Sequence, residues 1–245
     1  MRTRIAVLTV AAVLPAAAQL CKPQNVQGAY GFQLAGTTTI SGDTKPVAGM
    51  GRLEFDGQGL VSGTSSVNFA GYFLGNPVTG NYEAHSDCSI TWNLQDDSGA
   101  FQHFAGTLTP DLQRAAFHQT DPGGARNGTL AKVAPVCSNA GLQSRYDFSI
   151  SGNAIPMNPG ETAHRISLDG ILTADPAGNL AILNGDAATP AGHASVDSDC
   201  LVELDLTPPQ GAPMKFRGVL VSDGKEILAI ETDPGAAVNA RFRPR

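Results

Sequence analysis

The strongest constraint on the fold of this chain is an internal repeat. Residues 80–127 align without a gap on residues 192–239. The aligned segments share Ser-Asp-Cys at 86–88 and 198–200, Phe-x-Gly-x-Leu at 104–108 and 216–220, and Thr-Asp-Pro-Gly at 120–123 and 232–235. Self-similarity at a fixed spacing predicts one structural unit that is used twice.

The repeat also indicates where the domains begin and end. Upstream of the aligned segments, three residues of the first copy fall on three of the second: Cys21, Tyr30 and Phe32 on Cys137, Tyr146 and Phe148. A short segment, 134–145, with Pro, Ser, Asn and Gly joins the copies. We therefore expect two domains of like fold, 19–133 and 134–245, each able to fold alone. Packed about a pseudo-two-fold axis, they would form an intramolecular pseudo-dimer.

The N-terminus has the order of a secretory signal peptide. Residues 1–18 run from Arg2 and Arg4, through an apolar stretch, to three alanines before Gln19. This order predicts export and cleavage after Ala18, and therefore a secreted or periplasmic protein. The apolar stretch is too short to span a bilayer, and no later stretch is long and apolar enough to do so.

The charge of the chain disfavours nucleic acid as a partner. The formal net charge is −6, and no run of Lys and Arg occurs. Phosphate binding needs clustered basic side chains, so we expect no nucleic-acid binding.

Short alternating segments predict an all-β fold. From Cys88 to Leu94, the apolar residues share one face of a strand and the polar residues share the other. The first copy contains eight such segments separated by Gly, Asp, Asn and Pro turns: 28–36, 47–56, 59–69, 78–86, 87–96, 101–110, 113–120 and 126–133. Sequential strands close most simply into an up-and-down barrel, so we expect two tandem antiparallel eight-stranded barrels, with a sandwich as the alternative.

Four cysteines in an exported chain predict two disulfides. Because equivalent cysteines hold equivalent places in the repeat, one bridge in each copy is the simplest symmetric solution: Cys21–Cys88 and Cys137–Cys200. A second symmetric solution joins equivalent cysteines, Cys21 to Cys137 and Cys88 to Cys200, and ties the domains together. No C-x-x-C is present, which disfavours a metal site.

No catalytic motif is found in the sequence. The five histidines form no compact metal pattern, and none aligns with a histidine of the other copy: His85, His103, His118, His164 and His193. We interpret them as surface residues and predict no metal and no cofactor. The repeated acids occur at predicted turns, where Asp bonds local backbone N–H groups: Asp87, Asp199, Asp121 and Asp233. Trp92 is predicted to pack in the core rather than line a ligand cavity.

Four motifs of the unit carry a resemblance to known families. They are Gly-x-Tyr-x-Phe at 28–32, Phe-Asp-Gly-x-Gly at 55–59, Asp-Cys at 87–88 and the Thr-Asp-Pro-Gly turn. The unit resembles exported bacterial tandem β-repeat domains of unknown function. Its size and strand number are also similar to the allene oxide cyclase-like barrels, which are related to dirigent and lipocalin-like architectures. No catalytic residue of that group matches a position here, so the resemblance concerns the fold.

Two hypotheses about function follow, and they differ in what the barrel interior must contain. The first is an exported non-catalytic protein that binds a small apolar ligand or a partner. The alternative, implied by the resemblance, is a cyclase or isomerase that acts inside the barrel. The second needs an open cavity with a positioned polar group, and the sequence leaves the question of enzymatic activity open.

Overall fold

The computed structural model describes residues 21–209 and 211–245, and these form two closed antiparallel barrels. The predicted signal peptide and its cleavage site after Ala18 lie outside the described residues. The first barrel contains β1 Gln27–Ile40, β2 Asp43–Asp56, β3 Leu60–Phe69, β4 Tyr72–Ala84, β5 Ser89–Asp96, β6 Phe101–Leu108, β7 Arg114–Gln119 and β8 Gly124–Lys132. The second contains β9 Arg145–Ala154, β10 His164–Ala174, β11 Asn179–Asn184, β12 Ala187–Val196, β13 Leu201–Leu206, β14 Met214–Val221, β15 Glu226–Glu231 and β16 Ala236–Pro244.

The prediction of tandem eight-stranded barrels is confirmed, and the sandwich alternative is wrong. In each copy every strand pairs with the next, and the last strand pairs back with the first, β8 with β1 and β16 with β9. Closure of this kind removes the two edge strands that an open sheet would have. Helical structure in the described residues is limited to two 3₁₀ turns, Pro23–Asn25 and Asn139–Gly141. No helix in this part of the chain is long and apolar enough to cross a membrane.

Two hairpins of the first barrel are longer than the sequence predicted. Strand β4 begins at Tyr72 rather than at 78, and β1 and β2 continue to a turn at Ser41-Gly42. Both residues of that turn have positive φ, 52° and 87°, as do Ala70 and Gly71 between β3 and β4, at 51° and 85°. Two-residue turns of this kind match the twist of the flanking strands. Neither turn has the Asn-Gly or Asp-Gly sequence that would have indicated it.

Aromatic side chains fill the first barrel. The rings of Trp92 and Phe104 stack with centroids 5.3 Å apart, and Phe117 contacts both edge to face. Phe104 and its equivalent in the second copy, Phe216, are both buried, as the repeat predicted. Trp92 is also buried, which confirms its assignment to the core.

The predicted disulfides, one bridge in each copy, are confirmed. Cys21 bonds Cys88, and Cys137 bonds Cys200, with Cα atoms 4.9 and 5.0 Å apart. Cys88 and Cys200 share a left-handed backbone, with φ of 68° and 66°, directly before β5 and β13. Each bridge therefore joins the start of its copy to the same point in the barrel.

The two barrels contact each other through different faces of the repeated unit. The first uses β1, β2 and β3, whereas the second uses β14, β15 and β16, which correspond to β6, β7 and β8 of the first. A two-fold arrangement would place the same strands of each copy in the contact. The contact is therefore head to tail, and the expected pseudo-two-fold packing is not observed. An isolated antiparallel β-bridge between Val133 and Val221 holds the chain at this contact just before the linker begins.

The contact between the barrels is close and mostly apolar. A Cβ atom added to Gly31 in β1 would lie 2.5 Å from Val219 and 2.6 Å from Val221, so only glycine fits there. Gln33 extends from β1 and donates hydrogen bonds to the carbonyl oxygens of Ala229 and Ala240, at 2.6 and 2.8 Å. The boundary between the domains at residue 134, and their ability to fold separately, remain predictions.

An ion cluster closes one end of this contact. The buried carboxylate of Glu226 in β15 accepts hydrogen bonds from Arg114 of the first barrel and Arg241 of the second. Arg114 also donates to the hydroxyl of Ser222, at 2.6 Å. Burial opposes the charge of Glu226, but the hydrogen bonds from Arg241 and Arg114 outweigh it and hold its pKa below the ordinary value.

Candidate functional site

The interior of the first barrel has no room for a ligand. The space enclosed there has an accessible volume of about 0 Å³, and its lining is apolar: Phe32, Leu34, Leu53, Trp92, Leu94, Phe104 and Phe117. Small eight-stranded barrels are either filled in this way or hold one small molecule. This barrel is filled, so a ligand site must be sought elsewhere.

Concave surfaces occur instead on the outside of both barrels, at equivalent positions. The first groove covers the outer face of β4, β5 and β6, has a volume of about 300 Å³ and is lined by Asn81, Glu83, Thr91, Asn93, His103, Ala105 and Thr120, among others. The second groove covers β12, β13 and β14, has a volume of about 510 Å³ and is lined by His193, Ser195, Glu203, Asp205, Lys215, Arg217 and Thr232. Each named residue of the first groove aligns with one of the second.

Equivalent glycines, Gly80 and Gly192, lie next to the two grooves. A Cβ atom added to Gly80 would lie 1.9 Å from the carbonyl oxygen of Asn93. A Cβ atom added to Gly192 would lie 1.9 Å from the carbonyl oxygen of Asp205. These glycines and carbonyls are equivalent in the repeat, so the strands approach each other in the same way below each groove. The shape of the groove is therefore a property of the repeated unit.

The second groove gains an aromatic wall from the first barrel. Phe73 in β4 lines it, and that side chain packs against the apolar cluster of the second barrel. The adjacent turn is anchored by a hydrogen bond from the N–H of Gly235 to the carbonyl of Gly71, at 2.9 Å. Arg217 extends towards β4, with its Nη1 atom 3.8 Å from a Cβ built on Gly75. The second groove thus lies where the two barrels meet.

Charged side chains of both signs line the second groove. Strand pairing places Glu203 opposite Arg217 and Asp205 opposite Lys215. Opposite charges at such positions stabilise a sheet modestly. None of these four side chains forms an ion pair with a described residue. A partner that binds these four groups therefore breaks no existing ion pair.

The residues considered from the sequence do not assemble into a catalytic site. All five histidines are exposed, as predicted. His103 lies in the first groove, where its Nδ1 atom is 2.7 Å from Oδ1 of Asp121. No group of three or more His, Cys, Asp and Glu side chains in the described residues is placed to hold a metal ion.

The prediction that the repeated acids bond local backbone N–H groups is confirmed for Asp87 but is wrong for Asp121 and Asp233, which bond the backbone of a neighbouring strand. Asp121 and Asp233 accept hydrogen bonds from the backbone N–H groups of His103 and Lys215, at 2.8 and 2.9 Å. Burial acts to raise the pKa of Asp121, but the hydrogen bonds that it accepts hold that pKa below its ordinary value. Asp87 accepts from the N–H of Ser89, at 3.0 Å. In the second copy Asp197, not Asp199, has the corresponding role, because its Oδ1 accepts from the N–H of Leu201.

Glu231 is a second buried acid, besides Glu226, that no sequence motif indicated. It pairs across strands with buried Phe216, so its side chain faces the interior of the second barrel. Its Oε2 atom is buried and has no hydrogen-bond partner among the described residues. Burial, and secondarily the charge of Asp233, raises its pKa to about 7. None of the cavities described above includes this carboxyl.

Replacing Glu231 by Gln should remove a pH dependence of stability. The unfolded chain releases this proton near the ordinary pKa of 4.5, whereas the folded chain keeps it until about pH 7. Wild-type stability should therefore fall as the pH rises from about 4.5 to about 7, by on the order of 3 kcal/mol. Glu231→Gln, which introduces the residue found at the equivalent position 119, should not show this loss. Urea unfolding at pH 5 and pH 8 measures it, with exposed Glu203→Gln as control; a wild-type profile in Glu231→Gln would contradict the assignment.

Comparison with known proteins adds one distant similarity. No protein-family model matches the chain, and no curated protein matches it. Among solved structures, the chain is similar to the isotype 1 transferrin binding protein B from serogroup B Neisseria meningitidis. The identity is 8%, the alignment covers 89% of this chain and 75% of that chain, and the TM-score is 0.29. At this level the similarity supports no argument about function, and the tandem-barrel architecture rests on the strand pairing.

Proposed function

We propose that this chain is an exported, non-catalytic binding protein whose barrels serve as scaffolds and whose second groove binds a polar partner. The observation that carries the proposal is the recurrence of the groove at equivalent positions in both copies. A closed sheet suits recognition, because the backbone beneath the groove is already ordered before a partner binds.

The lining of the second groove indicates the chemistry of the partner. Lys215 and Arg217 lie beside Glu203 and Asp205, and Phe73 forms an apolar wall. A protein segment that presents both acidic and basic side chains, together with one apolar side chain, complements this surface. A small apolar ligand does not complement it, and the first barrel offers such a ligand no space.

The alternative of a cyclase or isomerase has less support. That reaction needs an open cavity in which a polar group contacts the substrate. In the first barrel the interior is filled, and in the second the buried acid Glu231 lies outside every cavity described above. No observation favours catalysis over binding.

Export is part of the proposal. Both disulfides occupy equivalent places in the repeat, and such bonds persist in oxidising compartments. Together with the predicted signal peptide, they support a secreted or periplasmic protein.

Site-specific photo-crosslinking in the native cells tests the proposal. A photoreactive residue at Ser195, in the second groove, should give a discrete adduct with a protein partner. The same residue at Ser62, exposed on the outer face of β3, is the matched control and should give none. The double variant Lys215→Glu, Arg217→Glu should abolish the adduct, because it removes the positive side of the groove, whereas Lys45→Glu should not. Equal labelling from both positions, or an adduct that survives the double variant, would contradict the proposal.

A further inference from the structure

One strand of the second barrel is longer than the neighbour that should cover it. Strand β10 pairs with β9 from His164 to Thr173, but with β11 only from Ile171 to Ala174. No other backbone hydrogen bond to residues 165–170 is recorded among the described residues. The edge of β10 that faces away from β9 is therefore unpaired over residues 164–170.

The unequal lengths of two hairpins explain this edge. In the first barrel, the hairpin of β3 and β4 runs from Leu60 to Ala84 and covers β2 from Val47 onwards. In the second barrel, the corresponding hairpin of β11 and β12 runs only from Asn179 to Val196. The second copy lacks the part of the hairpin that would cover this strand, although β10 is present. The unpaired edge is thus specific to the second copy.

The side chains on this edge segregate by face. Leu168 is 36% exposed and Ile166 is half-buried, and both lie on the face that continues the barrel interior. Arg165, Ser167 and Asp169 are exposed and lie on the opposite face. Neither Arg165 nor Asp169 forms an ion pair with a described residue. An exposed edge that carries apolar side chains is a template for pairing with another strand.

The sequence of the edge is complementary to itself. If two copies of Arg-Ile-Ser-Leu-Asp at 165–169 pair antiparallel about Ser167, each Arg165 lies opposite Asp169 of the second copy. Each Ile166 then lies opposite Leu168 of the second copy, on the other face. Directly opposite residues in an antiparallel pair are in side-chain contact, so this register forms two pairs of opposite charge and two apolar pairs.

We propose that the unpaired edge of β10 pairs with the same edge of a second copy and forms a two-fold symmetric homodimer. Backbone hydrogen bonds across the new strand pair supply the attraction, as in other cases of strand addition. The apolar and charge pairs together select the register. A shift by one residue would separate the charge pairs and would place the apolar side chains of the two strands on opposite faces. We assign the pairing strand to a second copy of this chain because the sequence of the edge is complementary to itself.

Charge exchange in the full chain provides the test. Arg165→Asp places like charges opposite each other at two symmetric points, and Asp169→Arg does the same with the opposite sign. Each single variant should weaken dimerisation about tenfold, because two favourable pairs become unfavourable. The double variant Arg165→Asp, Asp169→Arg should restore it. Sedimentation equilibrium over a range of protein concentrations measures the association, and Lys45→Asp in the first barrel is the control for a loss of positive charge.

A second variant tests the backbone part of the proposal. Ser167→Pro removes an N–H group at the centre of the strand and should abolish dimerisation. Circular dichroism then establishes that each variant is folded. The proposal is overturned if the wild-type chain is a monomer at every concentration, if both single variants dimerise like the wild type, or if the folded double variant does not recover. The groove is not involved, so Lys215→Glu should leave the association unchanged.

Discussion

Replacement of Glu226 by Ala should lower the free energy of unfolding by about 3–5 kcal/mol, because two arginine side chains lose the buried carboxylate that neutralises them. Glu226 is 3% exposed in its side chain and joins Arg114 of the first barrel to Arg241 of the second. The variant should therefore also weaken the contact between the barrels. Urea denaturation followed by circular dichroism measures the loss.

Arg243 supplies the matched control for this prediction. Its Nε atom lies 3.7 Å from Oε1 of the same glutamate, but its side chain is 62% exposed. Pairs that involve an exposed arginine contribute little, so Arg243→Ala should cost less than about 1 kcal/mol. A loss of the same small size in Glu226→Ala would contradict the role of the cluster.

The effect of Glu226→Ala should depend on pH in a defined direction. The pKa of Glu226 is lower in the folded protein than in the unfolded chain, so its contribution is present above the unfolded pKa. That contribution is lost as the pH falls through the folded pKa. The difference between wild type and variant should therefore be largest near neutral pH and should decrease in acid.

Replacement of Trp92 by Ala should also cost about 3–5 kcal/mol, because it leaves a large cavity in a filled core. Phe104 and Phe117 lose a ring with which they are in direct contact. The cavity would be apolar on all sides, so it should remain dry and bind xenon or benzene. Xenon-dependent chemical shifts of methyl groups around the site would detect the binding. Trp92→Phe keeps a ring in place and should cost less; equal losses in the two variants would contradict the packing described for this barrel.

Much of the fold could be predicted from the sequence because the repeat supplied two observations of each feature. The alternation from Cys88 to Leu94 identified Ile90, Trp92 and Leu94 as inward-facing, and the repeat identified Phe104 and Phe216. All five are buried. The disulfides followed from equivalent positions in the two copies. The long hairpins could not be predicted, since the turns at 41–42 and 70–71 place Ser and Ala at positive φ without a sequence signal.

The packing of the barrels and the candidate site were harder to predict, for a common reason. Both depend on which outward-facing residues come together. The alternation of apolar and polar residues along a strand distinguishes only positions that face the barrel interior from positions that face outwards. Gly31 permits close contact with Val219 and Val221, but its sequence neighbourhood does not indicate a contact in the other copy. The groove that contains Glu203 and Lys215 depends on the pairing of three strands and on Phe73 from the other barrel.

The central claim is that the first barrel is a filled scaffold and that binding takes place on the outer surface of the chain. Trp92 is the only tryptophan of the chain and lies inside the first barrel, so its fluorescence reports directly on that interior. The most direct test is a titration of the native protein with small apolar ligands, including fatty acids and terpenoids, while the emission of Trp92 is recorded. We expect an unchanged emission spectrum and no saturable binding. A saturable, stoichiometric change in Trp92 emission would show that a ligand enters the barrel, and it would contradict the claim.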